Sequence, residues 1–284
     1  PRQARGMAQL RGIAADLDAR LLLTTGKSRD RLERLDGAFM ASRVTLDTTD
    51  TPAALARAWR PPSPAPADVA YLQYTSGSTS DRKGVMITHA NVLANLAGIA
   101  ALFGHHEASV SVNWLPHFHD LGLVSGILQP LVHGHPNIMM SPTAFVQKPA
   151  RWLAAISAFR GTYTNSPNYG YDLCVRKTTA EQRAALDLAS LEVALNGAEP
   201  VRRETIDAFA ATFAPCGLRA EAMYPAYGLA EATLVVSGGR RDAAPVVLPV
   251  SAAALEQGRA AAAAPGEEAR DLVGCGQAIA ATDV

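Results

Sequence analysis

The feature that most restricts the fold is an alternation of short apolar segments with longer helical patterns, which begins at residue 69. The apolar segments predict six strands, at residues 69–74, 110–116, 137–141, 161–167, 191–197 and 218–225. Strands that alternate with helices are typical of a parallel sheet whose faces are covered by those helices. The chain is therefore predicted to be an α/β protein with mostly parallel, helix-covered sheets.

Short local signals predict where several helices begin. Thr88 is expected to cap one helix, and Pro149 to open another. Thr178 and Glu181 are expected to form a capping box before a further short helix. The main helices in this region are predicted at residues 88–103, 120–131, 149–159, 168–176 and 201–213.

Two interruptions divide the chain. The proline-rich segment 61–68, PPSPAPAD, cannot be helical and separates an edge region at 1–60 from the alternating core at 69–237. Residues 238–273 break the alternation with an apolar run and an alanine-rich stretch, which suggests a surface insertion, partly helical or mobile. Residues 274–284 are expected to begin a further β region.

Charge and cysteine content exclude several classes of protein. The 26 basic and 26 acidic residues balance, so neither a nucleic-acid-binding surface nor a polybasic membrane anchor is indicated. No apolar run reaches the about 18 residues of a transmembrane helix, so no membrane span is expected. Three widely spaced cysteines, Cys174, Cys216 and Cys275, predict free thiols and a cytoplasmic location.

A loop rich in glycine and hydroxyl residues follows the strand predicted at 69–74. Its sequence between residues 75 and 85 is TSGSTSDRKGV. Backbone amides and hydroxyls can surround phosphate oxygens, and a lysine adds a positive charge for them. The loop is not the GxxxxGK[ST] nucleotide motif, because Lys83 is followed by Gly84 and Val85. Alone, it is equally compatible with a flexible turn.

The segment WLPHFHDLGL carries two histidines and an aspartate after a predicted strand. His117 and His119 have a spacing found in metal sites, and His133 and His135 form a second pair. Zinc is disfavoured because no further His or Cys cluster stands near them in the sequence. Histidines that line an apolar pocket at a strand end are the alternative, with Asp120 beside them.

Two later turns carry further candidates. Asn196 and Gly197 end a predicted strand, and strand ends form the ligand crevice of open α/β sheets, although Asn-Gly is also the usual choice for a simple turn. Tyr227 has a ring that can stack on a planar ligand. Glu231 has a carboxylate that can bind a hard cation such as Mg²⁺. Individually, such residues are more often ordinary surface or core residues.

Taken together and in this order, the four stretches resemble the adenylate-forming superfamily of acyl-CoA synthetases, luciferases and peptide-synthetase adenylation domains. TSGSTSDRKGV is similar to its phosphate loop, and YGLAE to its Tyr-Gly-x-x-Glu motif. The finer resemblance is to fatty acyl-AMP ligases, through WLPHFHDLGL, SPNYGYDLCVRK, LNGAEPV and YPAYGLAEATL. That subfamily also carries an insertion where residues 238–273 lie.

The resemblance implies an activity. Fatty acyl-AMP ligases activate a fatty acid with ATP to an acyl-adenylate, release pyrophosphate and pass the acyl group to the phosphopantetheine thiol of an acyl carrier protein, often in polyketide or peptide synthetases. Residues 69–237 would form the ATP- and acyl-binding core, and residues 1–60 part of the first subdomain. An apolar acyl tunnel is implied, for which residues 121–127 and 138–140 are candidates, although they fit a plain core equally well.

The resemblance also implies roles for individual residues. The β- and γ-phosphates would be bound by Thr75, Ser76, Gly77, Ser78, Thr79 and Lys83. Mg²⁺ would be held by Glu231, helped by Thr75. The adenine pocket would be formed by Asn196, Gly197, Ala198, Tyr227 and Gly228. His119 would lie near the carboxylate and the α-phosphate, with Asp120 fixing its tautomer; His119, Lys83 and Glu231 are the residues expected to take part in catalysis.

Family members extend further than this sequence in both directions. They continue beyond Val284 into a ribose-binding aspartate, a hinge and a small lid domain with a catalytic lysine. The chain is therefore expected to be part of an N-terminal domain, and a poor catalyst by itself. The alternatives are an acyl-CoA synthetase, an amino-acid adenylation domain, or a fragment that binds nucleotide or acyl chain without turnover.

Overall fold

The computed structural model describes residues 2–74 and 84–280. The chain divides into two compact units, Pro1–Met86 and Ile87–Val284. In the described part, no helix is both long and apolar enough to cross a membrane. The phosphate-loop residues from Thr75 to Lys83 lie outside the described residues.

The first unit is built of short elements. They are α1 (Arg2–Asp16), β1 (Leu21–Thr24), α2 (Gly26–Leu35), α3 (Gly37–Ala41), β2 (Val44–Asp47), α4 (Ala53–Ala58), β3 (Val69–Tyr74) and β4 (Gly84–Thr88), the last of which continues into the second unit. Strands β1 and β2 are parallel, and β3 pairs with β4. Thr25 caps α2 and Asp36 caps α3 through their side-chain oxygens. A small core forms around Met7, Phe39 and Met40.

The second unit contains the remaining elements. They are α5 (His89–Phe103), β5 (Ser111–Asn113), a π-helix (Leu121–Leu128), α6 (Gln129–His133), β6 (Asn137–Met139), α7 (Pro142–Gln147), α8 (Ala150–Phe159), β7 (Tyr163–Ser166), α9 (Asn168–Lys177), α10 (Ala180–Ala184), β8 (Val193–Asn196), α11 (Arg203–Phe213), β9 (Met223–Gly228), β10 (Val235–Gly238), β11 (Val247–Ser251), α12 (Ala252–Glu256), β12 (Ala269–Val273) and β13 (Gln277–Ala278).

Seven of these strands form one sheet in the order β13-β10-β9-β8-β7-β5-β6. The five strands from β9 to β6 run parallel, and β10 and β13 pair antiparallel at the other edge. The predicted α/β class with a mostly parallel, helix-covered sheet is confirmed. β11 and β12 form a separate antiparallel hairpin, with α12 inside its connection.

The first residues of the helices test the starts that were predicted from local sequence signals. Thr88 caps α5 as predicted, in a capping box with Asn91. The predicted box of Thr178 and Glu181 is wrong by one residue, because Thr179 and Gln182 form it instead. The Thr178 hydroxyl is already used at the end of α9, where it donates to the Cys174 carbonyl at 2.8 Å.

Two predicted elements have different forms in the structure. The helix expected at 120–131 is a π-helix followed by α6. The strand expected at 218–225 begins only at Met223, after a 3-10 turn at Ala220–Ala222. Leu218 and Ala222 are buried in the core although they precede the strand, so their apolar character reflects packing rather than strand pairing.

The two faces of the sheet have different coverings. One, which we call the aromatic face, is covered by α8, α9 and α11, and packs Trp152, Tyr171 and Phe209 against the strands. The other, which we call the polar face, is covered by α5 and the π-helix; its strand residues include Asn113, Tyr163, Asn165, Leu195 and Tyr224. Successive strand residues point to opposite faces, so β7 and β8 contribute to both.

Candidate active site

A cavity of about 130 Å³ lies where β8 and β9 end. The two strands are parallel, so their carboxyl ends meet at one edge of the sheet, the place where open α/β sheets bind ligands. Apolar side chains supply part of the wall, namely Leu121, Leu195, Ala226, Leu234 and Val235. The rest comes from residues that the sequence analysis had singled out.

Five sequence-predicted site residues border this cavity. They are His119, Gly197, Ala198, Tyr227 and Gly228, and Asp120 lies among them. They come from the connections that follow β5 and β8 and from the last two residues of β9. The structure thus joins motifs that are more than a hundred residues apart in the sequence.

His119 is held by the residue that follows it. Its Nδ1 lies 2.6 Å from Asp120 Oδ1, and the same oxygen accepts the Leu121 backbone amide at 2.6 Å. The hydrogen bond to Asp120 raises the pKa of His119 above its ordinary value, and burial opposes this only in part. Because Nδ1 is engaged, Nε2 is the ring nitrogen that can contact a ligand in the cavity.

The turn that presents His119 depends on a glycine. A Cβ on Gly122 would lie 2.1 Å from the Pro116 carbonyl oxygen, which is too close for any side chain. The His119 amide donates to that same carbonyl at 3.1 Å, and its own carbonyl accepts from Leu123 at 2.8 Å. Gly122 therefore lets the start of the π-helix fold back tightly behind His119.

The turn after β8 contains a strained residue. Ala198 has a φ of +66°, in the left-handed region that residues with a Cβ adopt only at a cost of about 1–2 kcal/mol. Before it, Gly197 lies so close to β9 that an added Cβ would be 2.9 Å from the Ala226 carbonyl oxygen. Both features bring the backbone of this turn against the cavity.

Asn196 is placed differently from its neighbours in the motif. Its side chain is fully buried and donates from Nδ2 to Asn168 Oδ1 at 3.0 Å, towards α9 on the aromatic face. It does not line the cavity, and its Oδ1 has no partner among the described residues. Its side chain thus links β8 to α9, while Gly197 and Ala198 present backbone to the cavity.

The end of β9 and the turn that follows it carry the remaining candidates. Tyr227 is 51% exposed, so its ring is open to stacking by a ligand. A Cβ on Gly228 would lie 1.9 Å from the Leu234 carbonyl oxygen, so only glycine fits between β9 and the chain that returns to β10. Glu231 is exposed in a 3-10 turn, Ala230–Ala232, three residues further on and outside the cavity wall.

Glu231 by itself suits one kind of metal site. Among residues 2–74 and 84–280, no group of three or more His, Cys, Asp or Glu side chains is arranged to hold a metal ion. Mg²⁺ commonly keeps several waters and binds through one or two carboxylates together with substrate phosphates. A single exposed carboxylate such as Glu231 is compatible with this kind of Mg²⁺ binding, whereas it does not supply the several protein ligands that zinc requires.

A family model for AMP-binding enzymes matches residues 5–270, nearly the whole chain. The chain belongs to the AMP-binding enzyme family. It is 44% identical, over 98% of its length, to a medium-chain fatty acid–[acyl-carrier-protein] ligase of Moorena producens, and 50% identical, over 77%, to one of Teredinibacter turnerae. It spans 48% of the first relative and 34% of the second.

Comparison with solved structures leads to the same family. A fatty acyl-adenylate ligase of Legionella pneumophila, in complex with acyl adenylate and pyrophosphate, superposes with a TM-score of 0.88 at 36% identity. The match covers 95% of this chain and 47% of that one. Adenylation domains of peptide synthetases are similar at 24% identity and a TM-score of 0.79, which shows the shared fold alone.

The structure of this AMP-binding enzyme also places the other histidines. Of the two predicted pairs, only His119 lines the cavity. His133 and His135 lie with His105, whose ring centroid is 4.9 Å from that of His135. Burial lowers the pKa of His105 to about 3, with a smaller contribution from the neighbouring histidines. His105 is therefore neutral near pH 7, and burial also lowers the pKa of His135.

Sequence reasoning singled out Leu121, within the acyl-tunnel candidate 121–127, but missed the other apolar residues of the wall. Leu195 precedes the Asn-Gly turn by one residue and could have been found, because a strand residue beside a turn faces either the core or the ligand. Leu234 and Val235 carried no signal, since β10 was not predicted as a separate strand. The phosphate-loop residues and Thr75 lie outside the described residues.

Proposed function

We propose that this chain is the ATP- and acyl-binding part of a fatty acyl-AMP ligase, which converts a fatty acid and ATP to acyl-adenylate and pyrophosphate. The observation that carries the proposal is the shared cavity of His119, Gly197, Ala198, Tyr227 and Gly228 at the carboxyl ends of β8 and β9. The two fatty acid–[acyl-carrier-protein] ligases to which the chain is similar support it.

In this reaction a carboxylate oxygen of the fatty acid attacks the α-phosphorus of ATP. A new phosphorus–oxygen bond forms, the bond to the β-phosphate oxygen breaks, and pyrophosphate leaves with the electron pair. No enzyme nucleophile is needed. The protein must hold the two reactants in line and stabilise the charge that grows on the leaving group.

His119 is suited to orienting the reactants. With Nδ1 bonded to Asp120, its Nε2 can donate to the carboxylate or to an α-phosphate oxygen, and its raised pKa favours the protonated, donating form. We assign Gly197, Ala198 and Tyr227 to the adenine, with the tyrosine ring stacked on the base. Asn196 supports this turn from behind through Asn168.

The phosphate loop would supply the charge stabilisation. Thr75, Ser76, Gly77, Ser78, Thr79 and Lys83 are assigned to the β- and γ-phosphates, where fixed amide, hydroxyl and ammonium donors act without reorganising. Glu231, with Thr75, would hold Mg²⁺, an ion that neutralises charge on phosphate oxygens when bound.

The acyl group would then pass to the phosphopantetheine thiol of an acyl carrier protein. We assign residues 238–273 to the insertion typical of this subfamily. The hairpin β11–β12 supports this: Arg203 of α11 contacts Asp271 of β12 at 2.9 Å, and Val273 packs on the core. We place the protein in the cytoplasm, where its thiols stay reduced.

Asp120 argues against amino-acid adenylation. An enzyme that activates an amino acid needs a free carboxylate for the substrate ammonium, and the sequence offers Asp120 as the obvious candidate. In the structure this carboxylate is already bonded to His119 and to the Leu121 amide. A fatty acid, which has no ammonium, makes no such demand.

The test is a product analysis of the full-length protein with ATP, Mg²⁺ and a fatty acid, followed by mass spectrometry. We expect acyl-adenylate to accumulate, to be consumed when a phosphopantetheinylated carrier protein is added, and to persist with free coenzyme A. Rapid formation of acyl-CoA would contradict the subfamily assignment. Glu231→Ala should lose nearly all Mg²⁺-dependent activity, and activity within a few-fold of wild type would overturn the metal assignment.

A further inference from the structure

We propose that a buried polar wall formed by Ser125, Tyr163 and Asn165 closes the inner end of the acyl pocket and limits the acids this enzyme accepts to medium length. The inference rests on the proposed function, because it concerns the acyl part of the same site. It concerns the polar face of the sheet beneath the π-helix.

The wall begins directly beside the cavity. Leu195, which lines the cavity, is the register neighbour of Asn165 on β7, so the two side chains stand next to each other on the same face. Leu121 also lines the cavity, and Ser125 follows it four residues later in the π-helix, close to one turn further in. Both paths inward from the cavity thus pass from an apolar to a polar side chain.

The wall is held by a continuous set of hydrogen bonds. Ser125 Oγ lies 2.5 Å from the Tyr163 hydroxyl and accepts Asn165 Nδ2 at 3.2 Å. Asn165 Nδ2 also donates to Asn113 Oδ1 at 2.8 Å, and Asn113 donates to Asn137 at 2.9 Å. The network ties the π-helix to three adjacent parallel strands, β7, β5 and β6.

The wall is buried and held by contacts on several sides. Ser125 and Asn165 are fully buried, and Tyr163 is buried almost completely. Asn137 donates to the Gly126 carbonyl at 2.8 Å, which anchors the π-helix from the other side. Tyr163 is also confined by the Phe103 ring, with centroids 5.4 Å apart. None of these side chains can turn aside without breaking a buried contact.

An aliphatic acyl chain cannot replace the hydrogen bonds that it would break by entering the wall. Its methylene groups gain free energy by leaving water, but they offer no donor or acceptor to the amide and hydroxyls of the wall. Separating these groups would leave buried polar atoms unpaired, which costs more than an average hydrogen bond contributes. Asn165 Oδ1 already has no partner among the described residues, so the wall presents a polar atom that hydrocarbon cannot satisfy.

The test compares chain-length profiles of acyl-adenylate formation in the full-length protein, using hexanoic, octanoic, dodecanoic and hexadecanoic acids. Wild type should be most efficient with the medium acids. In the double variant Ser125→Gly/Asn165→Ala, the kcat/KM ratio of dodecanoic to octanoic acid should rise about tenfold, since each further buried methylene is worth about fourfold. Asn165→Ala alone, which keeps the Ser125–Tyr163 bond, should raise it about fourfold.

Thr164→Val is the matched control. Thr164 is the neighbour of Asn165 on β7, is equally buried and is hydrogen-bonded to Trp152 and Val112, but on the aromatic face. Its ratio should equal that of wild type. The ratio does not depend on the fraction of folded enzyme, so a merely destabilising effect leaves it unchanged.

The outcomes separate the two proposals. A ratio that stays at the wild-type value in both Asn165 variants, or a wild type that prefers hexadecanoic acid, would overturn the wall while leaving the ligase function intact. Formation of no acyl-adenylate with any of the acids would refute the proposed function itself, and the wall with it.

Discussion

The two faces of the seven-stranded sheet are both covered by helices but are built from different side chains. On the aromatic face, Trp152 packs at a tilt against Tyr171, and Tyr171 packs edge-to-face with Phe209. The polar atoms of the first two are paired: Trp152 donates to Thr164 at 2.8 Å and Tyr171 to the Leu195 carbonyl at 2.7 Å. On the polar face, amides, hydroxyls and imidazoles replace much of the hydrocarbon.

Buried polar atoms without a partner are more frequent on the polar face. In the described part of the chain they belong there to His105, Gln129, His135 and Asn165, and on the other side to Trp114 and Asn196. Such atoms cost stability and are normally avoided in a packed core. The aromatic face thus pairs most of its buried polar atoms, whereas the polar face leaves more of them unpaired. Of the four polar-face residues, Asn165 stands beside Leu195, which lines the cavity.

The largest effect that would test this contrast is on stability. Trp152→Ala should lower the free energy of unfolding by about 3–5 kcal/mol, because it removes a fully buried ring and leaves a cavity. Urea unfolding of the full-length protein measures it. Activity per folded molecule should change little.

Trp152→Phe is the control for the ring itself. It keeps most of the aromatic packing and loses the hydrogen bond to Thr164, so its cost should be clearly smaller than that of alanine. A selective loss of activity in Trp152→Ala, without loss of stability, would show that the aromatic face is part of the site after all.

The second test concerns the cavity, where a substitution should reduce activity and leave stability nearly unchanged. His119→Ala should lower kcat/KM for adenylation about a hundredfold, because a positioned donor is lost. Its side chain is 52% exposed, so the free energy of unfolding should change by no more than about 0.5 kcal/mol. Steady-state kinetics and urea unfolding on the same preparation measure the two quantities. A large loss of both kcat/KM and unfolding free energy would contradict the division of roles between the two faces.

The third test uses the buried histidines of the polar face. The pKa of His105 is lowered by burial to about 3, from an ordinary value of 6.5. Below pH 6.5 the unfolded chain therefore binds a proton that the folded chain refuses, and stability falls as the pH drops from 6.5 towards 3. The slope from this residue is on the order of 1 kcal/mol per pH unit.

His105→Phe should flatten that acid limb in unfolding experiments at a series of pH values. Part of the acid limb should remain in this variant, because burial also lowers the pKa of His135. Thr164→Val, a buried change that removes no titratable group, provides the control: it should leave the slope of the acid limb as in wild type. An unchanged limb in His105→Phe would show that this cluster does not resist protonation.

The smallest effect concerns the hydrogen bond between His119 and Asp120. Asp120→Asn should lower the pKa of His119, because the carboxylate that raises it is gone. In wild type, the raised pKa contributes stability that is complete below pH 6.5 and disappears as the pH rises through the folded-state value. NMR titration of the His119 ring measures the shift, and Asp187→Asn, a distant surface change, should leave it unaltered.

Much of the fold and site followed from local residues. The Thr88 cap, the proline start of α8 and the alternation of strands and helices each depend on a few neighbouring positions, which is why they could be read directly. His119, Gly197, Ala198, Tyr227 and Gly228 were found because their motifs resemble a known family. The capping box after α9 was misplaced by one residue, since two adjacent threonines carry the same local signal.

What the amino-acid sequence determined by itself is therefore the α/β class, most helix and strand positions and the motifs of the site. Only the tertiary structure decided which faces meet: that Asn196 turns away from the cavity to Asn168, that Leu195 stands beside Asn165, and that Ser125 of the π-helix contacts Tyr163 of the sheet. These contacts depend on strand register and on how closely the π-helix approaches the sheet. Because they join residues far apart along the chain, no periodic pattern in a single sequence predicts them.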